Sequence, residues 1–153
     1  MKKLWKLTGQ IVFWSSWPLL WLYLRFNKRT RVLVIHQDRV LLVHSWHSAG
    51  QWSLPGGGLH RGEEPTTGAV REAREETGIL IKPDQLTLLK EGVSGNRGLR
   101  YRYICYFTQV EEMIEPKVRL LEIVDAAWVP INEVNLSTAA KDTVMFLDSW
   151  QHR

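Results

Sequence analysis

Cysteine is almost missing from this chain: a single residue, Cys105, excludes an intramolecular disulfide and any cysteine-built zinc site, and nothing asks for an oxidising compartment. Internal repeats and low-complexity linkers are missing too, so solenoid, collagen-like and wholly disordered readings fall away. Acidic residues are absent from the first 31 positions, where Lys2, Lys3, Lys6, Arg25, Lys28, Arg29 and Arg31 stand alone. The formal charge of +4 is therefore an N-terminal property: the remaining 13 basic residues face all 16 acidic ones, which leaves the body at −3. A mildly acidic body argues against a nucleic-acid partner. What remains is 153 residues with 44% hydrophobic content, enough for one globular domain.

Between the two N-terminal basic clusters, Leu7 to Leu24 is an 18-residue run without charge. As a helix it would reach roughly 27 Å, close to the roughly 30 Å of a hydrocarbon core. Trp5, Trp14, Trp17 and Trp21 suit the headgroup boundary. No small-x-small site lies between Leu19 and Arg31, which sets aside a cleaved signal peptide. Gln10, Ser15, Ser16 and Pro18 weaken a single span, whereas an interfacial anchor places both basic flanks on one anionic leaflet. A buried helix or a homodimer contact is the competing reading. The expected organisation is a basic and hydrophobic membrane-anchor segment over residues 1–29, containing a hydrophobic helix, followed by a domain over 30–153.

The body reads as a mixed α/β domain. Arg31 to Ile35 and Val40 to His44 are rich in β-branched residues and are separated by four turn-forming positions, which predicts a hairpin. Trp52 to Leu54 predicts a short strand stopped by Pro55-Gly56-Gly57-Gly58. Pro65 suits a first helical position, Thr66 to Thr77 carries the helical period, and Gly78 suits a left-handed cap. Gly68 inside that helix costs about 1 kcal/mol relative to alanine, so a packing or functional reason is expected. Further strands are predicted at Leu86 to Leu89, Tyr101 to Val110 and Ala126 to Pro130, and a last helix at Thr138 to Trp150. Tyr101 to Thr108 shows two mostly apolar faces, as in a strand covered on both sides.

On the helix after Pro65, Glu72, Glu75 and Glu76 fall within an arc of about 100°, beside a stripe of Ala69, Val70 and Ala73 small enough to pack closely on a sheet. Such carboxylates repel one another, and a divalent cation converts that repulsion into affinity. Oxygen-only ligands suit Mg²⁺ or Mn²⁺, and the glycine run brings backbone close to metal and phosphate without side-chain obstruction. A solvated acidic face paired with Arg71 and Arg74 is the plainer alternative, but it explains neither the glycine run nor the offsets of Glu63 and Gly78.

From Gly57 the chain gives glycine, five residues, Glu63, seven residues, Arg71-Glu72-Ala73, one residue, Glu75-Glu76, one residue, Gly78-Ile79. This resembles the Nudix box of Nudix hydrolases, with Ala73 smaller than the bulky aliphatic residue usual at that position. The resemblance implies a Nudix-like α/β/α sandwich with a mixed sheet. It implies that Glu72, Glu75 and Glu76 bind catalytic Mg²⁺, with Mn²⁺ as a substitute, that Arg71 and Glu63 form the supporting ion pair, and that the Gly56 carbonyl is a backbone metal ligand. Gly57 and Gly58 are then substrate-binding positions. Glu122, six residues before Trp128, resembles an additional metal carboxylate supplied from outside the box. The implied activity is Mg²⁺-dependent pyrophosphohydrolysis of nucleoside diphosphate-X compounds, such as nucleoside triphosphates, ADP-ribose-like or dinucleotide substrates, by a membrane-associated protein with a cytoplasmic catalytic domain. A non-catalytic nucleotide-sensing module and a hydrolase of a lipid-linked diphosphate are the alternatives. The loop Ser94 to Arg100 reads as a hairpin turn, and Trp46 and Trp52 stand near the glycine run, where core packing competes with base stacking.

Overall fold

The computed structural model describes residues 28–46, 48, 50–96, 99–118 and 123–153. The hydrophobic segment through residues 7–24 and Glu122 lie outside them, and no helix among the described residues is long and apolar enough to cross a membrane.

Five strands form one mixed sheet: β1 (Lys28–His36), β2 (Arg39–Ser45), β3 (Thr87–Asn96), β4 (Leu99–Gln109) and β5 (Ile123–Pro130), in the spatial order β3-β4-β1-β2-β5. β1 runs parallel to β4 from Lys28↔Arg102 to Ile35↔Gln109, and the other neighbours pair antiparallel. The predicted hairpin around residues 36–39 is present, with Gln37 in the left-handed region at φ 52°. β3 and β4 form a hairpin closing at Asn96↔Leu99, as the turn-like loop implied.

Helix α1 (Pro65–Thr77) begins at its proline and ends on Gly78, whose φ of 73° and amide bond to the Arg74 carbonyl make the left-handed cap. Its Ala69 and Ala73 pack on Val32, Val34, Leu41 and Tyr106 on one side of the sheet. Helix α2 (Lys141–Gln151) covers the other side, burying Phe146 and Leu147 against Leu33, Ile35, Tyr103, Cys105 and Phe107. The two apolar faces of β4 are thus each covered by a helix. Cys105 is fully buried between strands, and burial pushes its thiol pKa up.

Three expectations need correction, the first being that β3 runs on to Asn96, past the predicted Leu89. Trp52 to Leu54 forms only isolated bridges, Val43↔Ser53 and Trp52↔Ala139, in place of a regular strand. The last helix starts at Lys141 because Thr138 and Ala140 bond the backbone of Trp52 from either side, which holds Ala140 extended at ψ 146°.

The feature that positions the site is a split between β1 and β2, which pair only at Ile35↔Val40 and His36↔Arg39. Along the open part of β1 the glycine run supplies the missing hydrogen bonds: the Thr30 amide donates to the Gly57 carbonyl and the Val32 amide to the Pro55 carbonyl, each at 2.9 Å. The approach is so close that a Cβ on Gly56, whose φ is +141°, would lie 2.2 Å from the Thr30 carbonyl oxygen. Backbone atoms line that contact, so a side chain has nowhere to go. Gly56→Ala is expected to destabilise the domain by about 2–4 kcal/mol, read as a lowered urea midpoint at unchanged slope. An unchanged midpoint would contradict the close contact.

Candidate active site

Glu72, Glu75 and Glu76 share an edge of α1 because positions three and four apart return to one side of a helix. Each has a different environment. Glu76 is only 4% exposed and its Oε2 accepts the Gly56 amide at 2.8 Å. Glu72 lies against Gly57, where a Cβ would come within 2.6 Å of its carboxyl carbon. Glu75 is more open, with its side chain 43% exposed.

Arg71 gathers the rest. Its Nε and Nη2 donate to the two oxygens of Glu63 at 2.8 and 3.0 Å, its Nη1 to Glu72 Oε1 and Glu75 Oε2 at 2.9 and 3.1 Å, and its Nη2 also to the Gly58 carbonyl at 3.1 Å. A guanidinium has five N–H donors, and these contacts use a planar fork that lysine does not possess. The Glu63 carboxylate also accepts the His60 amide, and it is pulled down to about 2, chiefly by the Arg71 hydrogen bonds. The same pairing raises Arg71 further above its already high value.

The predicted residues therefore converge. Glu63, Arg71, Glu72 and Glu75 form one network, and Glu76 joins it through the glycine run. The Gly56 carbonyl accepts a hydrogen bond from Arg31 of β1, a residue the sequence reading did not single out. A charged side chain within a β-branched strand was its only signal. A side chain on Gly57 would displace the Glu72 carboxylate, whereas a Cβ on Gly58 meets nothing within 4 Å. Gly68 is explained by Leu59 and Glu63, which lie over it at 2.3 and 3.0 Å from where a Cβ would stand. Trp52 packs beside His44 at 5.6 Å and against the core, and Trp46 is 71% exposed.

The donors here are hard oxygens, the Glu72, Glu75 and Glu76 carboxylates and the Gly56 carbonyl, and a carbonyl bonded once by Arg31 keeps a second lone pair. Among the described residues no three His, Cys, Asp or Glu side chains are gathered closely enough to hold a metal ion by themselves. Mg²⁺ does not need such a group, since it binds through one or two carboxylates and fills its other positions with water and phosphate oxygens. The residues present fit such an ion.

A family model described as the NUDIX domain matches residues 26–148. The chain belongs to the Nudix family. It is 38% identical over 93 residues to diphosphoinositol polyphosphate phosphohydrolase 2 of Mus musculus, covering 59% of this chain and 50% of that protein. The chain thus spans about half the length of the curated relatives it matches first. It is 33% identical over 119 residues to a nucleoside triphosphate pyrophosphatase/Nudix hydrolase fusion protein of Bifidobacterium longum, covering 75% of this chain and 23% of that one. In fold it is similar to a NUDIX hydrolase from Nitrosomonas europaea, with a TM-score of 0.72 at 21% identity over 82% of this chain and 88% of that one. It is similar as well to the NUDIX domain of Shewanella oneidensis NrtR, with a TM-score of 0.72 at 19% identity over 82% and 86%. The Nudix fold expected from the box is therefore the fold observed.

Because Glu63 is held well below its ordinary 4.5, the ion pair contributes its full stability above that value and loses it as pH falls from 4.5 toward about 2. Glu63→Gln should cost about 1–3 kcal/mol at pH 6 and progressively less at pH 4 and 3, measured by urea unfolding. A difference that stays constant over that range would remove Glu63 from the acid response.

Proposed function

We propose that this chain is a divalent-metal-dependent pyrophosphohydrolase that cleaves the diphosphate linkage of nucleoside diphosphate-X compounds. The observation that carries the proposal is the carboxylate edge of Glu72, Glu75 and Glu76 held against the backbone of Gly56 and Gly57. Relatives named as phosphohydrolase and pyrophosphatase support the reaction class. A binding-only module would have no use for three carboxylates concentrated on one helix edge, where they repel one another.

Glu72, Glu75, Glu76 and the Gly56 carbonyl would hold Mg²⁺, or Mn²⁺ in its place. When bound, the ion neutralises charge on the phosphate oxygens and makes a coordinated water more acidic. Glu72, pressed on Gly57, or another carboxylate of the same edge would take the proton from the attacking water. The water oxygen bonds to one phosphorus as the bridging P–O bond breaks, and the pair of electrons leaves with the departing phosphate. The products are a nucleoside monophosphate and the phosphorylated remainder. Arg71 and Glu63 keep α1 and the glycine run in register through this step, because both ends of their network bond to those two segments. Gly57 leaves the approach to the carboxylates open where any side chain would fill it.

Glu76→Gln retains an oxygen for the Gly56 amide and should leave the thermal midpoint within a few degrees, while turnover of an ADP-ribose, nucleoside triphosphate and dinucleotide panel falls by at least about 100-fold. Near-normal turnover would sink the metal-ligand assignment.

The run from Leu7 to Leu24, flanked by basic residues, supports a second element of the proposal: the segment ahead of β1, shorter than the 1–29 expected because Lys28 and Arg29 pair with β4, tethers the catalytic domain to the cytoplasmic membrane face. The full chain should then float with anionic vesicles, while a chain beginning at residue 27 stays in the aqueous fraction with its turnover intact. Equal partitioning of both would refute the tether, and loss of folding in the shortened chain would place the segment in the domain core.

A further inference from the structure

Gly56 is tied at both of its polar ends by opposite charges. Its amide donates to Glu76 Oε2 at 2.8 Å, and its carbonyl accepts a hydrogen bond from Arg31 Nη1. Arg31 reaches that oxygen because the two residues face each other. The Thr30 amide bonds the Gly57 carbonyl and the Val32 amide the Pro55 carbonyl, each at 2.9 Å, which brackets Arg31 opposite Gly56. A glycine has no side chain to stand in the way, so the half-buried arginine can fold across to the carbonyl.

The backbone there does not depend on that arginine. The bonds made by the Pro55 and Gly57 carbonyls on either side, with the Glu76 carboxylate on the amide, already fix the Gly56 peptide. What Arg31 adds is a fixed positive charge on the one backbone oxygen of the cation-binding set. Arg71 is different in kind: Glu63, Glu72 and Glu75 meet it at 2.8, 2.9 and 3.1 Å, so its charge is offset where it stands. Arg31 instead points its Nη1 at a neutral oxygen. A carbonyl polarised toward a guanidinium has less electron density to give a second cation, and like charges a few ångströms apart in a half-buried site repel far more than in bulk water.

Resting on the metal-dependent reading above, we propose that Arg31 is a positioning residue that holds down the affinity of the carboxylate edge for a divalent cation, by sharing the Gly56 carbonyl with it. A site tuned in this way binds the cation firmly only when substrate phosphates complete its coordination. Metal uptake is thereby coupled to substrate, and metal release to product.

The test is Mn²⁺ binding to the full chain without substrate, followed by the electron paramagnetic resonance signal of the free ion, beside the Mg²⁺ dependence of turnover. Arg31→Met removes the charge and keeps a side chain of similar reach. Its Mn²⁺ Kd should fall by about 5- to 20-fold, and the Mg²⁺ concentration that half-saturates turnover should fall with it. Arg31→Gln, which keeps a donor for the Gly56 carbonyl, carries the same expectation should the methionine variant fail to fold. Arg31→Lys keeps the charge, and its Mn²⁺ Kd should stay within about twofold of wild type. A merely structural arginine predicts the opposite sign, because a loosened Gly56 carbonyl binds metal more weakly. An unchanged or higher Kd in the folded methionine and glutamine variants therefore overturns the proposal, and so does equal tightening in Arg31→Lys. If the Mn²⁺ affinities follow the expected order while no diphosphate is turned over, the pyrophosphohydrolase reading falls and the role of Arg31 stands. Metal-dependent turnover with the affinities out of order keeps that reading and removes Arg31 from it.

Discussion

The architecture of the site depends on one backbone contact, the insertion of residues 55–57 along β1 where β2 has turned away. A sheet edge left open inside a domain would strand the Thr30 and Val32 amides, and the loop answers both. Because it does so in place of a strand, its own amide at Gly56 points toward α1 and meets Glu76, and the flank of Gly57 meets Glu72. Loop, sheet and helix are fixed to one another at a distance only glycine allows. The small face of α1, Ala69 and Ala73, matches this: bulkier residues would lift the helix and pull its glutamates off the loop.

Concentrating acids on one helix edge has an electrostatic cost that Arg71 offsets locally. Its fork touches Glu63, Glu72 and Glu75, so the cluster is partly neutralised from within the fold. The partition is uneven in a useful way. Glu63 takes two of the contacts and stays a permanent partner, whereas Glu72 and Glu75 share a single nitrogen, Nη1, and are the easier to release. Glu76 draws on a backbone amide instead.

Local signals carried much of this. The helix over 65–77 was legible because proline, the apolar period and the capping glycine all agreed, and the box was legible because its spacing mirrors a helix returning to one face every three to four residues. The two faces of β4 were readable for a similar reason, the period of a strand. What the sequence did not disclose was tertiary. The start of α2 moved to Lys141 because Thr138 and Ala140 pair with Trp52, far away in the chain. β3 runs on to Asn96, well past the predicted Leu89, because β4 offers it a partner along its whole length. Arg31 offered only a charge within a β-branched strand, since its meaning arises when β1 lies beside β4 and the glycine run.

That last pairing bears on how the domain comes together. β1 emerges first, yet its parallel partner ends at Gln109, and the connection between them contains β2, the glycine run, α1 and β3. Parallel pairing across so long a loop is entropically slow to nucleate, and β1 and β2 by themselves hold only a short antiparallel corner. During synthesis, then, the edge that receives the glycine run has no lasting support until β4 has left the ribosome. The glycine run and its helix acquire their shape late, and from a strand made after them.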